Sequence, residues 1–306
     1  LKIRFDNVNF NANNGPNGFG IKLAKEFYRQ GHKLVNSDPD IQLSFIQKVN
    51  DFNPCVLRLD GIYFNTDQDW KAQNEQIRLS YLSSQAIVVQ SNFNKELVFK
   101  YFGERENVHV ISNGTNLEEI NHIEALQHDI IDKFENVWMC ASHWRPHKRL
   151  NENIRYYLEH KKENDCLLIC GKGFQENIDK NYLSSLESKN IFYLGELNWH
   201  QLVSCMKRSK YFLHLSFLDH CPNVVVDAKA SGCICIVSSS GGTKELCSNS
   251  DIIIKDLQWD FSPIKLYNPP QLSFDTIENK SNNLDYNIKS SFNEYYKVIN
   301  NIINKT

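Results

Sequence analysis

The stretch Phe217 to Glu245, FLDHCPNVVVDAKASGCICIVSSSGGTKE, places two carboxylates, Asp219 and Asp227, eight positions apart around Pro222. That spacing puts Asp219 in a loop, with His220 beside it. It puts Asp227 on a helix that Asn223 opens and that runs to Ala230. Ionised carboxylates accept hydrogen bonds, so the pair can grip hydroxyl groups. An apolar strand, CICIVSSS, and the turn Gly241-Gly242 follow. Bare backbone N–H groups at that turn, together with Thr243, open a predicted helix, and a helix start favours an anion through its unpaired donors and dipole. Hydroxyl-gripping acids beside a seat for phosphate describe a nucleotide-sugar site.

A second cluster, CASHWRPHKRL, sets Arg145 and Lys148 just after a strand candidate, VWMCAS. The loop reads on its own as a local basic cluster. Taken together, these segments resemble the donor-binding motifs of family-4 glycosyltransferases of the GT-B fold. The family writes the first as Glu-x7-Glu, a small-residue turn, a strand and Gly-Gly-x-x-Glu; here it runs Asp219-x7-Asp227, Ser231-Gly232, CICIVSSS and Gly241-Gly242-x-x-Glu245. The second resembles Gly-Arg-Leu-x-x-x-Lys-Gly, aligned at Lys148, with His143 at the Arg position and Arg149 at the last Gly. The turn Gly171-Lys172-Gly173 and Gly195 complete the set.

The resemblance implies that Asp219 holds the transferred sugar, Asp227 the ribose, and Lys148 the diphosphate, with Arg145 substituting for the displaced guanidinium. It further implies transfer from a nucleotide-diphosphate sugar to an acceptor hydroxyl with retention of configuration, and without a metal. The acceptor class stays open between glycan, lipid and small molecule. Two other outcomes also stay open: a domain that binds nucleotide sugar without turnover, and an epimerase of the same fold.

On the other half, Asn14-Gly15-Pro16-Asn17-Gly18-Phe19-Gly20 reads as a glycine loop between the first strand and a helix at Ile21 to Gln30. Its glycines lack the G-x-G-x-x-G order, which disfavours a dinucleotide fold; the resemblance brings Gly18 toward the donor phosphates. CVLRLDGIYF carries Arg58 and Asp60 to the end of a strand, where Asp60 either orients the acceptor or forms an internal pair with Arg58. Asp38-Pro39-Asp40 and Asp67-Gln68-Asp69 imitate an Asp-x-Asp metal motif, but both read as solvated turns.

Short apolar strands alternate with helices on either side of a charged span, which predicts two parallel, doubly wound α/β domains facing across a cleft. The boundaries read as 1–120 for the acceptor-side domain, 121–136 for a linker and 137–285 for the donor-side domain. Residues 286–306 form a helix predicted to pack back on the N-terminal domain. The 306 residues exceed a usual single domain, and 41% hydrophobic content supplies cores and excludes global disorder. With 34 basic and 36 acidic residues, no cationic field recruits nucleic acid. No apolar run is long enough for a membrane span, although peripheral contact with a membrane stays open. Nine cysteines, several inside strand candidates, fit buried thiols in a reducing cytoplasm.

Overall fold

The computed structural model describes residues 1–12, 15–173, 185–275, 277–278 and 284–305; Asn14, the first residue of the predicted glycine loop, lies outside them. The first half contains β1 (Lys2–Asp6), α1 (Gly15–Arg29), β2 (Lys33–Leu34), β3 (Ile41–Phe45) and β4 (Cys55–Leu59). It continues with α2 (Trp70–Ser83), β5 (Ala86–Val89), α3 (Asn92–Phe102) and β6 (Val108–Val110). These strands form a parallel sheet in the order β2-β1-β3-β4-β5-β6. Strands β3, β4 and β5 are buried along their whole length. This explains why they read as continuous apolar runs rather than alternations: helices cover both faces of such a sheet.

Helix α4 (Leu117–His122) and a 3₁₀ turn (Ile131–Lys133) lead to the second half. There follow β7 (Asn136–Ala141), α5 (Leu150–His160), β8 (Asp165–Cys170), β9 (Ile191–Gly195), α6 (Trp199–Arg208) and β10 (Tyr211–His214). Then come α7 (Asn223–Ala230), β11 (Ile234–Ser238), β12 (Ile252–Ile254), β13 (Ile277–Glu278) and α8 (Ile288–Ile303). The second sheet has the order β13-β12-β11-β10-β7-β8-β9, with β13 antiparallel at its edge.

Two crossings tie the halves together. The apolar stripe of α8, including Phe292, Tyr295 and Ile299, enters the same core as Phe19, Phe27 and Ile3 of the first half. The irregular segment Trp259 to Leu266 straps the other face of that sheet. Trp259 lies 4.5 Å from Phe64 between ring centroids, and Ile264 N–H donates to the Phe64 carbonyl at 3.0 Å.

Three predictions change. The glycine loop is helical from Gly15, with Pro16 in the first turn, where its missing N–H costs nothing. Gly20 lies inside that helix because a Cβ there would stand 3.1 Å from Val8 and 3.3 Å from Phe45. Helix α2 has no counterpart among the predicted elements: its inner face mixes Asn74, Ile77, Ser80 and Tyr81, too polar a stripe to announce itself. The helix predicted after Gly242 is only a four-residue 3₁₀ turn, Thr243–Leu246, so it carries little dipole.

Candidate active site

Strand β7 has β8 on one side and β10 on the other, so the chain leaves it in opposite directions. Ligands in open α/β sheets bind at such a switch point, outside the carboxyl ends of the strands. Lys148, in the 3₁₀ turn Pro146–Lys148 after β7, and Asp219, in the loop after β10, meet there. Lys148 Nζ donates to Asp219 Oδ2 at 2.5 Å. His214, the last residue of β10, donates from Nε2 to the same oxygen at 2.8 Å, and the His220 N–H donates to Oδ1 at 3.0 Å. Oδ1 therefore has a lone pair left for a hydroxyl.

Burial opposes charge on Asp219, but Lys148 and His214 outweigh it and hold the carboxyl well below its ordinary pKa. Burial lowers the His214 pKa against the pull of Asp219. His147, stacked 5.4 Å from Tyr267, is pushed down to about 3 by burial and then by the Lys148 charge.

The Gly241-Gly242 turn runs directly over Asp219. Gly241 has φ +80°, and a Cβ there would lie 2.3 Å from the Asp219 carbonyl oxygen; one on Gly242 would lie 2.1 Å from that of His220. No side chain fits, which explains the glycine pair. The expectation of bare amides is corrected in part, since the Gly242 N–H donates to the Asp219 carbonyl at 2.7 Å. Thr243 presents a buried hydroxyl with no partner among the described residues. Glu245 reaches across to the first half, where its carboxylate accepts from the N–H groups of Asn92 and Phe93 at 2.8 Å each, at the start of α3.

Asp227 lies on α7, 5% exposed at its side chain. Its Oδ1 accepts from Lys22 Nζ of α1 at 2.8 Å and its Oδ2 from the Trp199 indole N–H at 3.0 Å. Asn223, at the start of the same helix, donates to the Gly15 carbonyl at 2.6 Å and accepts from Asn113 Nδ2 at 2.7 Å. Gly18 faces it, with room for a Cβ 4.0 Å from Asn223 Nδ2. His220 bonds to Asn94 Oδ1 and fills the space over Gly61, where a Cβ would stand 2.6 Å from its ring. Burial pushes His220 down to about 4.

Asp60 is held by Arg58 and Gln90, and Arg58 in turn donates to Asn113 Oδ1 at 2.8 Å. Arg145 is exposed at the mouth of the Lys148 turn. Gly171 follows β8 and Gly195 ends β9, joined by a hydrogen bond from Gly171 N–H to the Gly195 carbonyl at 2.7 Å. Arg149 occupies the left-handed position, φ 51°, where the resembling motif has glycine. The strain is met by a buried ion pair, with Arg149 donating to Asp256 at 2.6 and 3.2 Å. Asp38 and Asp40 both bind Lys2, and Asp69 caps α2. Among the described residues no group of three His, Cys, Asp or Glu is placed to hold a metal ion.

Sequence reasoning missed Lys22, Thr115, Trp199 and His214. Only His214, a lone polar residue in the apolar run YFLHLS, gave a local signal. Lys22 and Trp199 sit at ordinary polar helix positions, and their role arises from the meeting of two distant helices.

The model of the family described as glycosyl transferases group 1 matches residues 124–260, the segment that carries Lys148, Asp219, Asp227 and Gly242. No curated protein sequence matches the chain significantly. Among solved structures it is similar to Anabaena Alr3699/HepE in complex with UDP-glucose (TM-score 0.63, 16% identity, 83% of this chain and 85% of that one). It is also similar to sucrose-phosphate synthase from Thermosynechococcus elongatus (TM-score 0.61, 11% identity, 83% and 86%). A third is AviGT4, a glycosyltransferase involved in avilamycin A biosynthesis (TM-score 0.61, 10% identity, 100% and 99%). The fold is therefore GT-B: two Rossmann-like α/β domains facing across a cleft. No helix among the described residues is long and apolar enough to cross a membrane.

Proposed function

We propose that the chain is a retaining glycosyltransferase of family 4, taking a sugar from a nucleotide-diphosphate donor to an acceptor hydroxyl on a glycan, lipid or small molecule. The observation that carries this reading is the Lys148–Asp219 pair, 2.5 Å apart at the switch point of the second sheet under the Gly241-Gly242 turn. One N–H of the Lys148 ammonium is committed to Asp219, and among the described residues nothing else takes the remaining ones, which can meet a diphosphate. The residues divide as 1–120 on the acceptor side, 121–136 as linker, 137–285 on the donor side and 286–306 as the returning helix.

In the proposed reaction the bond between the anomeric carbon and the β-phosphate oxygen breaks as the acceptor oxygen bonds to the same face. The acceptor proton passes to the departing diphosphate. Lys148, with Arg145 at the mouth, meets charge that grows on the leaving group, so its contribution is larger in the transition state than in the ground state. Asp219 accepts from a hydroxyl of the sugar and Asp227 from the ribose. Gly18, Gly171, Gly195, His220, Asn223 and Thr243 line the donor, and Asp60 stands on the acceptor side. We propose that these charges serve without a divalent ion. Nine buried cysteines, none of them in a disulfide, support a reducing, cytoplasmic setting.

The test is a turnover assay over a panel of nucleotide sugars and acceptors, with the product anomer assigned by NMR. Expected are a retained anomer, full activity in excess chelator, and a loss of turnover in Lys148→Ala of about a hundredfold or more. Full turnover in that variant removes Lys148 from the reaction; an inverted anomer or a chelator-sensitive rate removes the mechanism.

A further inference from the structure

Both candidate acids of the donor cleft carry a matched cation, and the two cations come from opposite halves of the molecule. Asp219 has Lys148 from its own half, whereas Asp227 has Lys22, which lies on α1 of the other half. Helices α1 and α7 meet through successive turns: Gly18 faces Asn223, and four residues further on Lys22 faces Asp227. The Lys22 ammonium is anchored on its own side by Thr115 Oγ1 at 2.9 Å and stands 5.1 Å from the centre of the Trp199 ring. Its side chain is only 18% exposed.

We propose that Lys22 is a positioning residue for the donor nucleotide, contributed across the cleft by the acceptor-side domain. It neutralises Asp227, so that an acid can bind ribose hydroxyls without repelling the diphosphate attached to the same ribose. The proposal rests on the nucleotide-sugar reading above. The physical conflict is intrinsic to that reading: an ionised Asp suits hydroxyls and opposes phosphates, and at low dielectric the repulsion acts over the length of a nucleotide. Lys22 on Oδ1 and Trp199 on Oδ2 fix the carboxylate plane while each oxygen keeps a lone pair for a ribose hydroxyl. Because Lys22 reaches Asp227 only when the halves touch, the ribose grip is complete only in the closed arrangement.

The experiment measures affinities by calorimetry for whichever of UDP, ADP and GDP the wild type binds best, and for its parent nucleoside. The readout is the ratio of diphosphate to nucleoside affinity. Lys22→Met leaves Asp227 bare, and the ratio is expected to fall about tenfold or more. Lys22→Arg keeps the charge and restores most of the ratio. Asp227→Asn leaves the ammonium unopposed, and the ratio is expected to rise even as ribose contacts weaken. A purely structural contact lowers both affinities together and leaves the ratio unchanged in Lys22→Met, which overturns the proposal; if Lys22→Met does not fold, Lys22→Gln, which keeps a donor without the charge, decides in its place by the same ratio. A wild type that binds a nucleoside diphosphate with an unmoved ratio refutes Lys22 only, whereas a wild type that binds none removes the nucleotide-sugar reading and this inference with it.

Discussion

Three histidines crowd the Lys148–Asp219 pair, and burial lowers the pKa of His147, His214 and His220 in turn, the first to about 3 and the last to about 4. In the unfolded chain each returns to an ordinary value of about 6.5. Below that pH the unfolded state binds more protons than the folded one, so stability falls as pH falls and levels off only below the depressed folded values. Each group contributes a slope of up to about 1.4 kcal/mol per pH unit. Asp219, held well below its ordinary value, acts in the same direction but at lower pH, as the solution falls through its folded pKa. The urea midpoint should therefore drop between pH 6.5 and pH 4.5, before ordinary carboxylates titrate. A flat midpoint across that window means that these rings are solvated. At this scale Asp219, Asp227 and Lys148 were legible because the motif spacing names them. His147 and His214 were not, because burial is a property of the assembled loops; His214, with Lys148, is what holds the Asp219 carboxyl low.

Elements were read best where the pattern was strongest. Helix α7 was predicted over its observed residues, Asn223 to Ala230. Helix α3 runs from Asn92 to Phe102, with Ser91 capping it and Gly103 closing it at φ 89°. What the pattern hid is how a residue of the second half completes α3. The two oxygens of Glu245 take the first two amides of the helix, whose dipole favours a negative charge there. Glu245→Ala should lower stability by about 1–2 kcal/mol, the usual range for losing a helix cap, with Glu245→Gln between it and the wild type. Hydrogen exchange is expected to quicken at the Asn92 and Phe93 amides. If those amides exchange at wild-type rates in Glu245→Ala, the halves do not meet through this carboxylate in solution. Helix α1 shows the opposite failure, since glycines that read as a loop are helical, and only at Gly20 do Val8 and Phe45 crowd the place of a side chain.

Across the whole molecule the chain passes between halves more often than two domains and one linker require. The strap at Trp259 to Leu266 covers one face of the first sheet and α8 covers the other, so the first half is finished by residues that follow the second sheet's main strands in the chain. The apolar stripe of α8 was readable at helical spacing, but a stripe does not name its partner. Its buried side chains Ile288, Phe292, Tyr295, Val298 and Ile299 are each at most 5% exposed. At about 1.5–3 kcal/mol per buried apolar side chain, they contribute on the order of 10 kcal/mol. That is comparable to the whole stability of a typical domain, about 5–15 kcal/mol. A chain ending at Tyr286 keeps the hydrogen bond from its hydroxyl to the Leu246 carbonyl at 2.7 Å, and with it the second core. It loses the lid over Phe19, Phe27 and Ile3. Limited proteolysis of this truncated chain should digest the first sheet and leave a fragment spanning β7 to β12, with calorimetry showing one transition where the full chain shows the melting of both halves. A truncated chain that resists protease throughout and melts at the full-length temperature means that α8 adds little, and that the strap alone holds the first sheet in place.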